Sequence, residues 1–501
     1  MKIEIMDTTL RDGEQTSGVA FSDTEKLTIS KMLLEEVKVD RIEVASAMVS
    51  QGDFEAVKKI TSWAKEKGFL ERIEVLCFIG PKWLDWVHQA GGRVINLLCK
   101  GSLKHVNVQL RKKPEEHVAD IKTLINSAQQ LGIKSNIYLE DWSNGMKDSP
   151  DYVMFLVESL KSEPVERFML PDTLGILNPD QTFEFCKQML DKFPGLRFDF
   201  HGHNDYDLAV ANSYAAIKAG FSGVHTTVNG LGERAGNAPL ASVIAVLNDQ
   251  VKTNLDVKEN KLNKISKMVE VLTGVRIPTN KPITGEYVFT QCCGVHADGD
   301  SKGNLYYNDL VPERFGRVRK YALGKNSGKA SIQKNLEELG IELEPEAMKK
   351  VTARIVEIGD QKENITTEDL PYIIADVLGE ITEERVKIKN YSISHAHGLR
   401  PMATVSVVVE GKEYQETSAG DGQYDAFMKA LTRIYQSVGK KLPVLTDYVV
   451  TIPPGGKTDA LVETVITWQA QDREYKTRGL DPDQTAAAIK ATLKMLNLIE
   501  D

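Results

Sequence analysis

The chain has 501 residues and a mass of 55.7 kDa, which at roughly 150 residues per domain predicts about three domains. Apolar residues make up 42% and charged residues 27%, enough for packed cores, which excludes a disordered or collagen-like chain. With 62 Lys and Arg against 71 Asp and Glu, the net charge is -9, the pI is near 5.7 and no basic tract is present, so nucleic acid is not an expected partner.

Five cysteines without a CxxC pair exclude a disulfide framework or a thiolate zinc site and fit a cytoplasmic location. No apolar run approaches the ~20 residues that span a bilayer, and no secretory h-region follows Met1, so a soluble protein without a membrane partner is expected. From the N-terminus, short apolar runs alternate with helical stretches. The predicted strands are 3–6, 41–45, 72–78, 93–98, 134–140, 167–170, 197–201 and 223–228. Ser22 and Glu25 form a capping box before one helix, and Ser149-Pro150 opens another. Eight strand–helix units in about 250 residues predict an α/β (β/α)8 TIM barrel over 1–275, with a doubly wound sheet as the alternative.

Beyond residue 275 the alternation stops, and prolines and glycines introduce a linker region with two helices over 276–385. Residues 386–501 repeat a βββα pattern twice, which predicts an α+β domain of two pseudo-symmetric halves suited to binding a regulator. The alternating Val405, Val407 and Val409, and more loosely Val462, Val465 and Trp468, form its predicted buried face.

The period of two along RFDFHGH places Asp199, His201 and His203 on one face and Phe198 and Phe200 on the other. Two imidazoles at a strand end can bind one metal at the carboxyl face of a barrel. Arg11 and Asp12 after the first strand, and Asn237 after the eighth, reach the same rim. Asp12, His201, His203 and Asn237 carry one negative charge, so a bound zinc, manganese or magnesium ion stays net positive and suits an anionic 2-oxo acid. Arg11 is placed to stabilise an alkoxide. On the fifth strand Tyr138 and Glu140 face inward; Glu140 is a candidate proton acceptor, with a salt bridge to Arg11 as the structural alternative. Leu76 and Leu98 project inward too and predict a small apolar pocket with Tyr138, or alternatively ordinary barrel filling.

Three patterns are decoys. GLGERA at 230–235 lacks a dinucleotide-binding βαβ context, GGKT at 455–458 lacks the first glycine of a P-loop, and Cys292-Cys293 reads as buried small apolar residues.

LRDGEQTSGVAFSDTEK (10–26), with Lys26 at a fixed spacing, resembles the signature of the 2-isopropylmalate, homocitrate and citramalate synthase family. HGHNDYDLAVAN (201–212), NGLGERAGNAPL (229–240), GVHADG (294–299), LGKNSGKAS (323–331) and the C-terminal GDG extend the resemblance along essentially the whole chain. Asp207 replaces a common Gly, which predicts a local change in that turn. YLEDWSNG (138–145) lacks the Ser usual in the isopropylmalate and homocitrate branches and looks most like the citramalate branch.

The resemblance implies a metal-dependent Claisen-type condensation of acetyl-CoA with pyruvate, followed by thioester hydrolysis, on the pyruvate route to isoleucine. It implies that Leu76, Leu98 and Tyr138 hold the pyruvate methyl and Thr173 its carboxylate. Glu140, His296 and Tyr306 are implied in enolisation and closure over the thioester, and Asn304 and Tyr306 in holding acetyl-CoA. It further implies that the linker completes the active site across a homodimer and that the last domain binds an amino-acid effector, isoleucine. A 2-isopropylmalate synthase using 3-methyl-2-oxobutanoate and an acyl-CoA lyase of the same barrel type are the competing readings.

Overall fold

The eight apolar runs become parallel strands that pair in chain order and close on themselves, which excludes the doubly wound alternative. They are β1 (Glu4–Asp7), β2 (Arg41–Ser46), β3 (Ile73–Phe78), β4 (Val94–Lys100), β5 (Lys134–Glu140), β6 (Val165–Asp172), β7 (Phe198–Gly202) and β8 (Gly223–Thr226). β1 closes the barrel on β8 with Met6 opposite His225. The computed structural model describes residues 2–253, 255–360, 365–378, 385–451, 462–470 and 473–499.

Alternation along the strands sorts the apolar side chains into two sets. Ile42, Val44, Ile95, Leu97, Ile137, Leu139, Phe198 and Phe200 face the surrounding helices in one continuous core. Met6, Leu76, Tyr138 and Met169 form a separate cluster inside the barrel, with half-buried Leu98 against it. Burial on both faces is why these strands read as nearly continuous apolar runs. The capping box is present: Ser22 Oγ accepts from the Glu25 amide at 3.3 Å, and Glu25 Oε2 accepts from the Ser22 amide at 2.7 Å. The last strand stops two residues short of its predicted end because Thr227 leaves the ladder to bridge Pro239.

Residues 1–289 with 307–319 form one compact unit, and residues 290–306 with 320–501 form another; each is described by itself. In the second, β9 (Thr290–Gln291) pairs with β10 (Lys320–Tyr321). The linker holds four helices among the described residues, Gly294–Ser301, Lys329–Leu339, Pro345–Asp360 and Leu370–Leu378, where the sequence predicts two. Gly294–Ser301 is easily misread because its two glycines and two aspartates have weak helix propensity. Cys292 is exposed and Cys293 half-buried, contrary to the expected burial, because they link the short β9 to the start of that helix. Cys77, Cys99 and Cys186 are buried, and all five thiols are free.

The C-terminal repeat folds as two βββα units: β11 (Val386–Ser394), β12 (Met402–Val409) and β13 (Lys412–Ala419) precede a helix at Gln423–Ser437. β14 (Val444–Thr451), β15 (Val462–Ala470) and β16 (Arg473–Asp481) precede a helix at Gln484–Ile499. Each set of strands is an antiparallel sheet. Val405, Val407 and Val409 are buried against the helices as predicted. On β15 the buried face is Val462, Thr464, Ile466 and Trp468, so Val465 belongs to the other face: period two from Trp468 selects even positions. GGKT at 455–458 lies outside the described residues. Among those described, no helix is long and apolar enough to cross a membrane.

Candidate active site

Asp12 reaches the barrel mouth because the chain turns sharply after β1, where the amides of Arg11, Asp12 and Gly13 all donate to the Thr8 carbonyl at 2.9–3.1 Å. Buried Lys26 fastens this turn from behind. Its Nζ donates to Glu14 at 2.6 Å, to Asp53 at 2.7 Å and to the Leu10 carbonyl at 3.2 Å. An ammonium taken out of water needs such partners, which gives a physical reason for its fixed spacing from the Arg-Asp pair.

His201 is the penultimate residue of β7, and His203, just beyond the strand, bridges Asn237 in antiparallel fashion. Asp12, His201 and His203 are buried, with ligand atoms all within 4.8 Å of one another. Asn237 Nδ2 donates to Asp12 Oδ1 and to the Leu231 carbonyl, both at 3.0 Å. That leaves Asn237 Oδ1 buried without a partner, as are Nδ1 of His201 and of His203. Buried polar atoms are ordinarily satisfied, so orphaned atoms on three of these residues, together with the convergence of Asp12, His201 and His203, fit a divalent cation.

Burial works to raise the Asp12 carboxyl, but the Arg11 guanidinium and the imidazoles beside it hold it well below the usual carboxylate range. Burial, helped by the charges of His201, Arg234 and Arg11, lowers His203 to about 4, leaving it neutral and able to ligate.

Close packing around Asn237 and within the loop itself requires the glycines of the GLGERAGN segment. A Cβ on Gly232 (φ +152°) would sit 2.2 Å from Asn237 Nδ2, and one on Gly236 (φ +83°) would sit 1.9 Å from the Gly230 carbonyl oxygen. Thus the glycines of the GxGxxA pattern let the loop close tightly around Asn237. Asp207 adopts a left-handed conformation, φ +59°, which Asp tolerates, and Asn204 Nδ2 donates to its side chain at 3.0 Å.

Arg11 lies across the mouth with three partners. Its Nη1 donates to Asp12 at 2.7 Å, its Nε to Glu43 at 2.6 Å and its Nη2 to the Tyr138 hydroxyl at 3.3 Å. Glu43 is itself fixed by Thr8 Oγ1 at 2.7 Å and Asn96 Nδ2 at 2.8 Å. Directly inside are Leu76, Leu98 and Tyr138, joined by Met6 and Met169. The three predicted pocket residues therefore do meet, and Tyr138 joins them to Arg11 and His201 of the candidate metal site.

Glu140 pairs with Lys100, opposite it in the β4–β5 register, and not with Arg11. Its neighbour Asp141 donates its amide to Thr173 Oγ1 at 2.9 Å, which draws Thr173 to the end of β5. Arg234 Nη2 donates to the Thr173 carbonyl at 2.8 Å and its Nε to Asp205 at 2.8 Å, tying three mouth loops together. In the second unit the His296 and Tyr306 rings lie tilted against each other with centroids 4.1 Å apart, and His296 Nδ1 lies 3.2 Å from Gln291 Oε1. Asn304 and Tyr306 are exposed.

Comparison with known proteins identifies the family. The HMGL-like family profile matches residues 2–269, more than half of the chain. The chain belongs to the HMGL-like family. A profile described as homocitrate synthase post-HMGL domain-like matches residues 283–363, and one described as LeuA allosteric (dimerisation) domain matches 364–500. A provisionally named (R)-citramalate synthase of Archaeoglobus fulgidus is 34% identical over 500 residues, covering 100% of both chains. The (R)-citramalate synthase of Methanocaldococcus jannaschii is 31% identical, again over 100% of both. The 2-isopropylmalate synthase of the same organism is 32% identical over 99% of this chain and 95% of its own. This member of the HMGL-like family is thus an acyltransferase-type synthase.

Sequence reasoning missed Glu43, Lys100 and His225 at the centre of this site. The signal was available: Glu43 alternates with Ile42 and Val44 on β2, so a carboxylate mid-strand had to face inward.

Proposed function

We propose that the protein is an (R)-citramalate synthase, converting acetyl-CoA, pyruvate and water into citramalate and free CoA. The observation that carries this is the contact of Leu76, Leu98 and Tyr138 beside Arg11 and the metal set, an apolar wall that suits a methyl group. Full-length relatives bearing that name support it. A divalent ion bound by Asp12, His201, His203 and Asn237 supplies a Lewis acid for the 2-oxo acid. Arg11, held in place by Glu43, stabilises the negative charge that develops on the ketone oxygen. Thr173 binds the carboxylate. Glu140 takes the proton from the acetyl methyl, the resulting enolate carbon bonds to the ketone carbon, and water then cleaves the thioester. His296, Tyr306 and Asn304 are assigned to the thioester, supplied across a homodimer.

We further assign 1–275 to catalysis, 276–385 to completing the active site and 386–501 to isoleucine feedback in a cytoplasmic, isoleucine-forming route; the match of residues 364–500 to an allosteric domain supports the last assignment. Thiol release from acetyl-CoA across a series of 2-oxo acids, with and without isoleucine or leucine, tests the reading. The highest kcat/KM with pyruvate, and inhibition by isoleucine, are expected. A preference for 3-methyl-2-oxobutanoate would place the protein instead with the 2-isopropylmalate synthases, to which it is about equally similar.

A further inference from the structure

We propose that His225 is a positioning residue that fixes the phenol of Tyr138 and so sets the length of 2-oxo acid the barrel accepts; this rests on the pyruvate reading above. His225 is buried on β8 and faces inward, opposite Met6. Its Nδ1 is 2.8 Å from the Tyr138 hydroxyl, and its Nε2 is 3.4 Å from Asp199 Oδ2. Asp199 is salt-bridged by both Arg41 and Arg167, so it is an acceptor only.

Nε2 therefore carries the ring proton and Nδ1 is the acceptor. It follows that the Tyr138 hydroxyl donates down into the barrel and turns its lone pairs toward Arg11 Nη2, 3.3 Å away. Tyrosine has only two side-chain torsions, and with its tip held at both sides the ring cannot retreat from Leu76 and Leu98. A rigid wall excludes longer acids by clash, whereas a mobile one would yield to them. The chain of bonds ends at two guanidiniums, which do not release protons, so it orients the phenol rather than conducting a proton.

Two substitutions separate the halves of this device. His225→Asn keeps an acceptor where Nδ1 stood, and His225→Gln keeps a donor toward Asp199 while losing that acceptor. In His225→Gln the ratio of kcat/KM for pyruvate over 2-oxobutanoate is expected to fall at least about tenfold, and in His225→Asn to stay within about twofold of the parent. In a Tyr138→Phe background His225→Gln should change the ratio no further, because the bond is already absent. Equal loss of kcat on both acids with an unchanged ratio, or additive effects in the double variant, would overturn the proposal.

Nitrogen-15 NMR of histidine-labelled full-length protein provides a check that needs no substitution. A His225 ring protonated at Nε2 is expected, and one protonated at Nδ1 contradicts the bonding. Absence of turnover with pyruvate in the unaltered protein would defeat the substrate reading while leaving that tautomer measurement as the test of His225.

Discussion

On β5 the inward face carries Asn136, Tyr138 and Glu140, whereas on β12 the buried face carries Val405, Val407 and Val409. Both strands alternate with the same period, yet they bury opposite chemistry. Inside the barrel a buried polar group needs a partner, and among the atoms left without one are Nδ1 of His201 and of His203 and Oδ1 of Asn237. Against the C-terminal helices the sheets bury mainly apolar groups, with Trp468 meeting its one need through Thr477 Oγ1 at 2.8 Å. The contrast teaches that catalytic capacity in this chain lies where a buried face is polar, and that an apolar buried face supplies stability.

The sharpest way to break that contrast is His203→Ala. It should remove metal binding and turnover together, a loss larger than the roughly 10–100-fold typical of residues that merely support a ligand. Metal stoichiometry by atomic emission checks it, and full occupancy in the variant would reject His203 as a ligand.

Trp468→Ala should cost the C-terminal unit about 3–5 kcal/mol, seen as a lower calorimetric transition, while leaving the selectivity between pyruvate and 2-oxobutanoate unchanged.

Asp7 tests the barrel side. Burial pushes its carboxyl up to about 7, against hydrogen bonding from Thr9, and one of its oxygens is without a partner. Between roughly pH 4 and 7 the unfolded chain has released this proton and the folded chain keeps it, so stability falls with rising pH by up to about 4 kcal/mol and then levels off. Asp7→Asn should flatten that slope in denaturant titrations run across the window.

Leu98→Ala is the smallest expected change, worth about 1–3 kcal/mol in relative kcat/KM and favouring 2-oxobutanoate. An unchanged ratio would remove Leu98 from the pocket.

The barrel and the meeting of Asp12, His201, His203 and Asn237 at its rim were legible because they follow from local rules. Period two gives the face of each strand, and strand ends give the rim. What stayed hidden are pairings that depend on register between distant strands. Glu43 meets Arg11 across 32 positions, Lys100 meets Glu140 across 40, and His225 meets Tyr138 across 87. Periodicity tells which way a side chain faces and is silent about its opposite number. For the same reason periodicity does not distinguish Arg11 from Lys100 as the salt-bridge partner of Glu140, and Lys100, directly opposite it, takes that place. The helix at Gly294–Ser301 escaped because packing, not propensity, holds its glycines.

A crystal of the protein soaked with manganese and pyruvate puts the central claim to its most direct test. The account predicts one anomalous peak among Asp12, His201, His203 and Asn237, with the keto acid beside it and its methyl group against Leu76, Leu98 and Tyr138. A rim holding neither ion nor acid, at concentrations that support thiol release, would contradict it.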